Sequence, residues 1–152
     1  MKFYNFDIVF QEIPDEVSLA VNITNCPNRC PGCHSPHLWE DIGESLTVSR
    51  IDRWMKDYAS LVTCVCFMGG DGQTEELLQL ARHIRQCYHV KTAWYSGRQE
   101  IPPQAARSLF NYIKVGPYIR EKGGLKAPGT NQRLYEVDTE SGALKEVCFT
   151  PR

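Results

Sequence analysis

The sequence lacks the features of a membrane protein or of a nucleic-acid-binding protein. No stretch approaches the roughly 18 consecutive apolar residues of a membrane-spanning helix, and the N-terminal residues MKFYNFD contain no apolar core of a signal peptide. The 17 Lys and Arg residues are balanced by 18 Asp and Glu residues, giving a net charge of -1. No basic surface for a polyanion is therefore indicated. We expect a cytoplasmic protein that binds neither a membrane nor nucleic acid.

Internal repeats, low-complexity segments and linkers are also lacking. A chain of 152 residues with 42% hydrophobic residues is long enough to bury a core without disulfide bonds. We predict a single domain over residues 1–152.

Cysteine, in contrast, is plentiful, with seven residues, and three of them fall within the segment NCPNRCPGCH at residues 25–34. Cys26, Cys30 and Cys33 have the spacing C-x3-C-x2-C, and thiolates so close on one loop can bind a single inorganic centre. A structural zinc site or an ordinary four-iron cluster takes four protein ligands. A set of three therefore leaves one metal position open to another ligand.

Two other readings of this loop stay open. A structural zinc site could be completed by His34 or His37, and a disulfide would be expected only in an oxidising compartment. Cys64 and Cys66 alternate along a predicted strand and share one face of it, so we expect them to be buried core side chains.

Hydrophobic periodicity predicts alternating strands and helices. Strands are predicted at residues 3–10, 18–24, 61–68, 90–96 and 112–115, and helices at residues 47–58, 74–87 and 102–110. This order favours parallel βα units. A complete eightfold barrel needs about 200 residues or more, so the predicted fold class is α/β, with a short, open, partial (βα) barrel.

The C-terminal part of the chain has a different character. Residues 116–133 are rich in glycine, proline and charge, which predicts a long loop of the kind that is often functional. Residues 134–137 and 143–149 flank the turn sequence DTESG, which predicts a β-hairpin. The C-terminal loop and hairpin are thus predicted at residues 116–150.

Further motifs follow the cysteine loop. Trp39 comes shortly after the third cysteine, Gly69-Gly70-Asp71 follows a predicted strand, and Tyr95-Ser96-Gly97 follows the next one. The segments KVGPY at residues 114–118 and TNQR at residues 130–133 come later in the chain. In this combination the chain resembles the radical S-adenosylmethionine (SAM) enzymes, and among them the activating proteins of anaerobic ribonucleoside-triphosphate reductases.

The resemblance implies a cofactor, a cosubstrate and a ligand set. Cys26, Cys30 and Cys33 would hold a [4Fe-4S] cluster whose fourth iron binds SAM, and the backbone of Gly69 and Gly70 would contact its methionine group. Asp71 stands where the wider family commonly has Glu, and Gly32 stands where it commonly has an aromatic residue against the adenine. The adenine contact is therefore unassigned, with His34 as a candidate. Asp71 could equally be a helix N-cap.

The resemblance also implies partners. By this resemblance, one electron from the reduced cluster would cleave SAM to methionine and a 5'-deoxyadenosyl radical, and that radical would take hydrogen from a glycine of the reductase large subunit. The family suggests a flavodoxin-type electron donor. We expect Arg120, Lys122, Lys126 and Arg133 to form a docking surface for the reductase, with a merely solvated loop as the alternative.

Other functions are open at this point. A small radical enzyme similar to deazaguanine synthase would form its product without a partner protein. A zinc-binding module or an electron carrier would not cleave SAM at all, and a zinc module offers no reason for a double glycine at a strand end.

Overall fold

Residues 1–148 are described by a computed structural model of the chain. Its eight strands are β1 (Lys2–Val9), β2 (Ser18–Ile23), β3 (Glu44–Ser45), β4 (Cys64–Met68), β5 (Lys91–Tyr95), β6 (Tyr112–Val115), β7 (Arg133–Val137) and β8 (Leu144–Glu146). Its helices are α1 (Val48–Tyr58), α2 (Thr74–Cys87) and α3 (Gln104–Arg107), with a 3-10 helix at Pro36–Trp39.

The strands form one sheet in the order β3-β1-β2-β4-β5-β6-β7-β8. The central strands β2, β4, β5 and β6 are parallel, and every other neighbouring pair is antiparallel. Strands β3 and β8 are the two edges, so the sheet is open within the described residues. The predicted α/β class and the parallel βα units are confirmed.

Helices α1 and α2 pack on one face of the sheet. Helix α1 begins after Thr47, whose side chain accepts a hydrogen bond from the Arg50 amide at 3.2 Å, which satisfies one of the free amides of the first turn. Its buried residues Ile51, Trp54 and Met55 recur at helical spacing and join the core on this face. Burial of each such side chain contributes about 1.5–3 kcal/mol.

The opposite face of the sheet is covered by a smaller cluster. Its buried members are Ile13, Cys64, Cys66, Ala93, Tyr112 and Leu134. Cys64 and Cys66 are fully buried, as predicted. Burial raises the pKa of the Cys64 thiol to about 12 and that of Cys66 well above its usual value, so both stay protonated at neutral pH.

Glu16, just before β2, is bonded to residues at the amino ends of β4, β5 and β6, of which Thr63 directly precedes β4. Its carboxylate accepts hydrogen bonds from Lys91 Nζ at 2.6 Å, Thr63 Oγ1 at 2.5 Å and Tyr112 OH at 3.2 Å. Burial alone would raise the pKa of Glu16, but these partners lower it below 4.5. The carboxylate therefore stays charged in the folded protein.

Two short elements were not predicted, the 3-10 helix and β3. Strand β3 has two exposed residues paired with the first residues of β1, so it carries no apolar pattern that periodicity could detect. The C-terminal hairpin is present as β7 and β8. Residues 149–152 lie outside the described part of the chain, including Phe149 and Thr150 of the predicted hairpin segment. No helix within residues 1–148 is long and apolar enough to cross a membrane.

Candidate metal centre

The carboxyl ends of the four parallel strands form the floor of the candidate site. Asn22 pairs with Met68, Met68 with Tyr95, and Tyr95 with Lys114 in register across the sheet. Side chains in register on neighbouring parallel strands point to the same face. All four line one cavity of about 220 Å³.

The cysteine loop forms the opposite wall of this cavity. Cys26, Cys30 and Cys33 all line it, and each is partly exposed. The loop turns sharply enough that the Cys33 amide donates to the Cys30 carbonyl at 3.0 Å. Arg29 has a φ of 43°, in the left-handed region that few residues other than glycine adopt. The three predicted ligands thus line one cavity at the carboxyl ends of the parallel strands.

Two of the three sulfur atoms accept hydrogen bonds from the chain. Asn28 Nδ2 lies 3.7 Å from Cys26 Sγ, and the Ser35 amide lies 3.4 Å from Cys33 Sγ. Donors of this kind stabilise negative charge on a thiolate. Two of the three sulfur atoms would therefore receive hydrogen bonds when the loop holds a metal cluster.

The double glycine lies directly after β4. Gly69 and Gly70 have φ values of 114° and 98°, which disfavour any residue with a side chain. A Cβ at Gly69 would lie 3.3 Å from the Ile23 carbonyl oxygen. Gly69 lines the cavity, and its carbonyl accepts a hydrogen bond from the Trp94 indole at 2.9 Å. The two glycines therefore allow the backbone to turn sharply after β4 and to lie close to Ile23 beside the cavity.

Asp71 is 2% exposed and joins two loops. Its Oδ1 accepts the Ser96 hydroxyl at 2.7 Å, and its Oδ2 accepts Asn28 Nδ2 at 2.7 Å and the Gly97 amide at 2.8 Å. The N-cap of α2 is Gln73, so the N-cap interpretation of Asp71 is wrong. Asp71 lines the cavity, and contact between Asp71 and a cofactor stays a prediction.

Lys114 places a cation in the cavity. The residue is 8% exposed, and its Nζ donates to the carbonyls of Ser96 at 3.1 Å and Gly116 at 3.0 Å. Burial lowers the pKa of Lys114 below 10.5, against the opposing effect of Asp71, Cys30 and Cys26. An ammonium group has three N–H donors, and the two carbonyls account for two of them; Nζ also lies 5.8 Å from the centre of the Tyr95 ring.

The remaining predicted residues lie around this centre. His34 is exposed, and its ring contacts that of Tyr118, which lines the cavity. Trp39 also lines the cavity, and the Arg29 guanidinium lies 5.7 Å from the centre of its ring. The predicted docking residues Arg120, Lys122, Lys126 and Arg133 are all exposed. Arg120 lies beside the cysteine loop, since a Cβ at Gly32 would be 3.4 Å from its Cδ.

The donor set fits an iron–sulfur cluster better than a single zinc ion. No group of three or more His, Cys, Asp and Glu side chains within residues 1–148 is placed to hold one metal ion. The His37 ring contacts Tyr4 and the His34 ring contacts Tyr118. In a four-iron cluster each thiolate binds a different iron, so the cysteines need only surround the cluster. Three thiolates around a shared cavity meet that requirement.

The fold and the site together define an α/β protein with a three-cysteine metal-cluster cavity at the carboxyl ends of the parallel strands of an open sheet. Residues 17–121 match the family model described as a 4Fe-4S single cluster domain. Because the match covers more than half of the chain, the protein belongs to that family, which supports the predicted [4Fe-4S] cluster. Comparison with curated proteins gave no match, and comparison with solved structures gave none either.

Sequence reasoning gave no role to several residues of this site. Met68, Tyr95 and Lys114 lie in the last two residues of their strands, so strand register could have placed them together at the carboxyl ends of the parallel strands. Asn28 had no such signal, because its role depends on Asp71, which is distant in sequence.

Proposed function

We propose that this protein is a radical SAM activase, which cleaves SAM reductively and generates a glycyl radical on an anaerobic ribonucleoside-triphosphate reductase. The observation that carries the proposal is the shared cavity. Three cysteines, and Lys114 with its buried ammonium, line the same space of about 220 Å³ at the carboxyl ends of the parallel strands. The open sheet would then be the short partial barrel of radical SAM enzymes.

Cys26, Cys30 and Cys33 would hold the [4Fe-4S] cluster and would leave one metal position open to SAM. When bound and reduced, the cluster would supply the one electron that reductive cleavage of SAM to methionine and a 5'-deoxyadenosyl radical requires.

The chain's own residues would bind and orient SAM. Lys114 can donate its third N–H to the SAM carboxylate, a charge-assisted hydrogen bond. Gly69 allows the ligand to approach the end of β4, because no side chain projects there. Leu38, Trp39 and Tyr118 line the same cavity and offer the apolar and aromatic surface that a nucleoside favours.

A polypeptide substrate would approach the face of the sheet that bears the cavity. Loops cover this face, whereas α1 and α2 pack on the other face. Arg120, beside the cysteine loop, and Lys122 are exposed on the segment 116–133. We take these two residues, with Lys126 and Arg133, as the docking surface for the reductase large subunit. A flavodoxin-type protein would be the electron donor.

The test uses the reduced, reconstituted protein with SAM and the reductase large subunit. Electron paramagnetic resonance should detect a glycyl radical on the reductase, and Cys30→Ala should abolish it. The double variant Arg120→Glu/Lys122→Glu should lower the radical yield without changing SAM cleavage, whereas Lys56→Glu on the exposed face of α1 should leave both unchanged. SAM cleavage without any glycyl radical would reject the activase and favour a small-molecule radical enzyme.

A further inference from the structure

Asn28 lies between the first two cysteines of the loop, and both N–H bonds of its side-chain amide are directed at partners. Nδ2 donates to Asp71 Oδ2 at 2.7 Å and to Cys26 Sγ at 3.7 Å. The amide cannot be turned around, because its oxygen would then face a carboxylate that only accepts hydrogen bonds. The carboxylate therefore fixes which end of the amide meets the sulfur.

Asp71 is itself held in place by the strand beside it. Ser96 Oγ and the Gly97 amide, both directly after β5, donate to its carboxylate at 2.7 and 2.8 Å. Arg98 donates to its backbone carbonyl at 2.6 Å. Asp71 is 2% exposed, so solvent does not compete for these bonds. The chain of contacts runs from the end of β5 through Asp71 and Asn28 to a cysteine sulfur.

Gly97 makes this arrangement sterically specific. A Cβ at Gly97 would lie 2.5 Å from Asn28 Nδ2 and 3.1 Å from its Cγ. Both distances are shorter than van der Waals contact, so any side chain at position 97 must displace the amide. The absence of a side chain there is required for Asn28 to reach Asp71 and Cys26 together.

We propose that Asn28 is a positioning residue that sets the reduction potential of the cluster through its hydrogen bond to Cys26. A donor to a cluster thiolate stabilises the additional negative charge of the reduced state and therefore raises the potential. The same bond holds Cys26 in its ligand position, with Asp71 as the anchor. The inference rests on the cluster of the proposed function and does not depend on SAM cleavage or on the protein substrate.

Two variants remove the bond in different ways. Asn28→Gly deletes the amide, and Gly97→Ala leaves Asn28 in the chain but displaces its side chain. Asn25→Gly is the matched control, since it makes the same change in the same loop and removes only a hydrogen bond to Asp41 Oδ1. Glycine also accepts the positive φ of 59° at position 25.

The measurement is a redox titration of the reconstituted proteins followed by the visible absorption of the cluster. We expect the potentials of Asn28→Gly and Gly97→Ala to be more negative than that of the wild type, and that of Asn25→Gly to be unchanged. Iron loss to a chelator should be roughly tenfold faster in the first two variants, as is typical when a hydrogen bond to a metal ligand is removed. A purely structural role for Asn28 would not shift the potential in one direction in both variants.

The outcomes separate this proposal from the proposed function. Wild-type potentials in both variants would overturn it, even if SAM is cleaved. Shifted potentials in a protein that never cleaves SAM would support it while rejecting the activase. If Asn28→Gly folds without a cluster, by circular dichroism of the apoprotein, the positioning role is supported; if it does not fold, the potential of Gly97→Ala decides.

Discussion

Replacing Lys114 with methionine tests the proposed hydrogen bond between the Lys114 ammonium and the SAM carboxylate. Methionine keeps the unbranched apolar stem of the side chain, with sulfur in place of one methylene, but removes the ammonium group. The remaining N–H of Lys114 is the proposed donor to the SAM carboxylate, and a hydrogen bond to a charged group contributes about 2 kcal/mol. We therefore expect SAM to bind roughly 30-fold more weakly to Lys114→Met.

The pH dependence of binding provides an independent check. Burial lowers the pKa of Lys114 below 10.5, so the ammonium loses its proton at a lower pH than an exposed lysine would. SAM affinity of the wild type should therefore fall as the pH rises through this lowered pKa, and that alkaline fall should be absent in Lys114→Met. The effect of the lowered pKa on the free energy of unfolding has the opposite sign. Because the unfolded chain binds more protons between the lowered pKa and 10.5, this residue makes the free energy of unfolding rise with pH over that range.

The assay is equilibrium binding of SAM to the reconstituted, unreduced protein, with iron content matched between variants. Lys114→Met also removes a donor to the Ser96 carbonyl and one of two side-chain donors to the Gly116 carbonyl, which keeps Gln132 Nε2 at 3.4 Å; a buried carbonyl left without a donor costs about 1–3 kcal/mol. Thermal unfolding must therefore show that the variant is folded at the assay temperature. Lys122→Met, at an exposed position, is the control. SAM affinity of Lys114→Met within twofold of the wild type would refute the proposed contact.

Three further predictions concern the scaffold of the site. Glu16→Gln should lower the free energy of unfolding at pH 7 by about 2 kcal/mol, because the charge-assisted bond from Lys91 is lost. Since the pKa of Glu16 is lowered in the folded protein, the difference in stability between wild type and variant should shrink as the pH falls below 4.5. Cys64 and Cys66 should resist alkylation at pH 8 in the folded apoprotein, because burial keeps both thiols protonated. Gly69→Ala should destabilise the protein by about 1–3 kcal/mol, since a side chain at a φ of 114° is strained.

Each of these predictions has its own control and its own contradictory result. In urea unfolding, the control Glu140→Gln, at an exposed turn position, should be as stable as the wild type. A Glu16→Gln variant as stable as the wild type would contradict the first prediction. Mass spectrometry should find the exposed Cys87 and Cys148 alkylated before Cys64 and Cys66, and labelling of Cys66 at the same rate as the exposed cysteines would contradict the second prediction. Gly124→Ala, where a Cβ meets nothing within 4 Å, is the control for Gly69→Ala, and equal stability of the two would contradict the third.

The central part of the fold could be predicted from the sequence, because its strands and helices bury one side or both and therefore carry an apolar pattern. Residues 112–115 were predicted as a strand with the bounds that β6 has, and α2 begins at Thr74 and ends at Cys87 as predicted. Strand β3 could not be predicted in this way, because its pairing with β1 depends on backbone hydrogen bonds and not on apolar side chains.

The candidate site could be predicted only in part. The cysteines have a spacing that restricts their chemistry, so they could be found from the sequence alone. Strand register could have placed Lys114 at the same end of the sheet, but a lysine in a predicted strand gives no sign that its ammonium will be buried against the Ser96 and Gly116 carbonyls. The bond between Asn28 and Asp71 joins residues far apart in the chain, and only the tertiary structure brings them together.

The central claim, that this iron–sulfur protein cleaves SAM, is tested most directly by one anaerobic measurement. The protein is reconstituted with iron and sulfide, reduced and mixed with SAM, and 5'-deoxyadenosine is measured beside a Cys30→Ala variant. Our account predicts 5'-deoxyadenosine from the wild type and none from the variant. A wild-type protein that carries a reducible cluster but forms no 5'-deoxyadenosine, or one that holds a single tightly bound zinc ion instead, would contradict it.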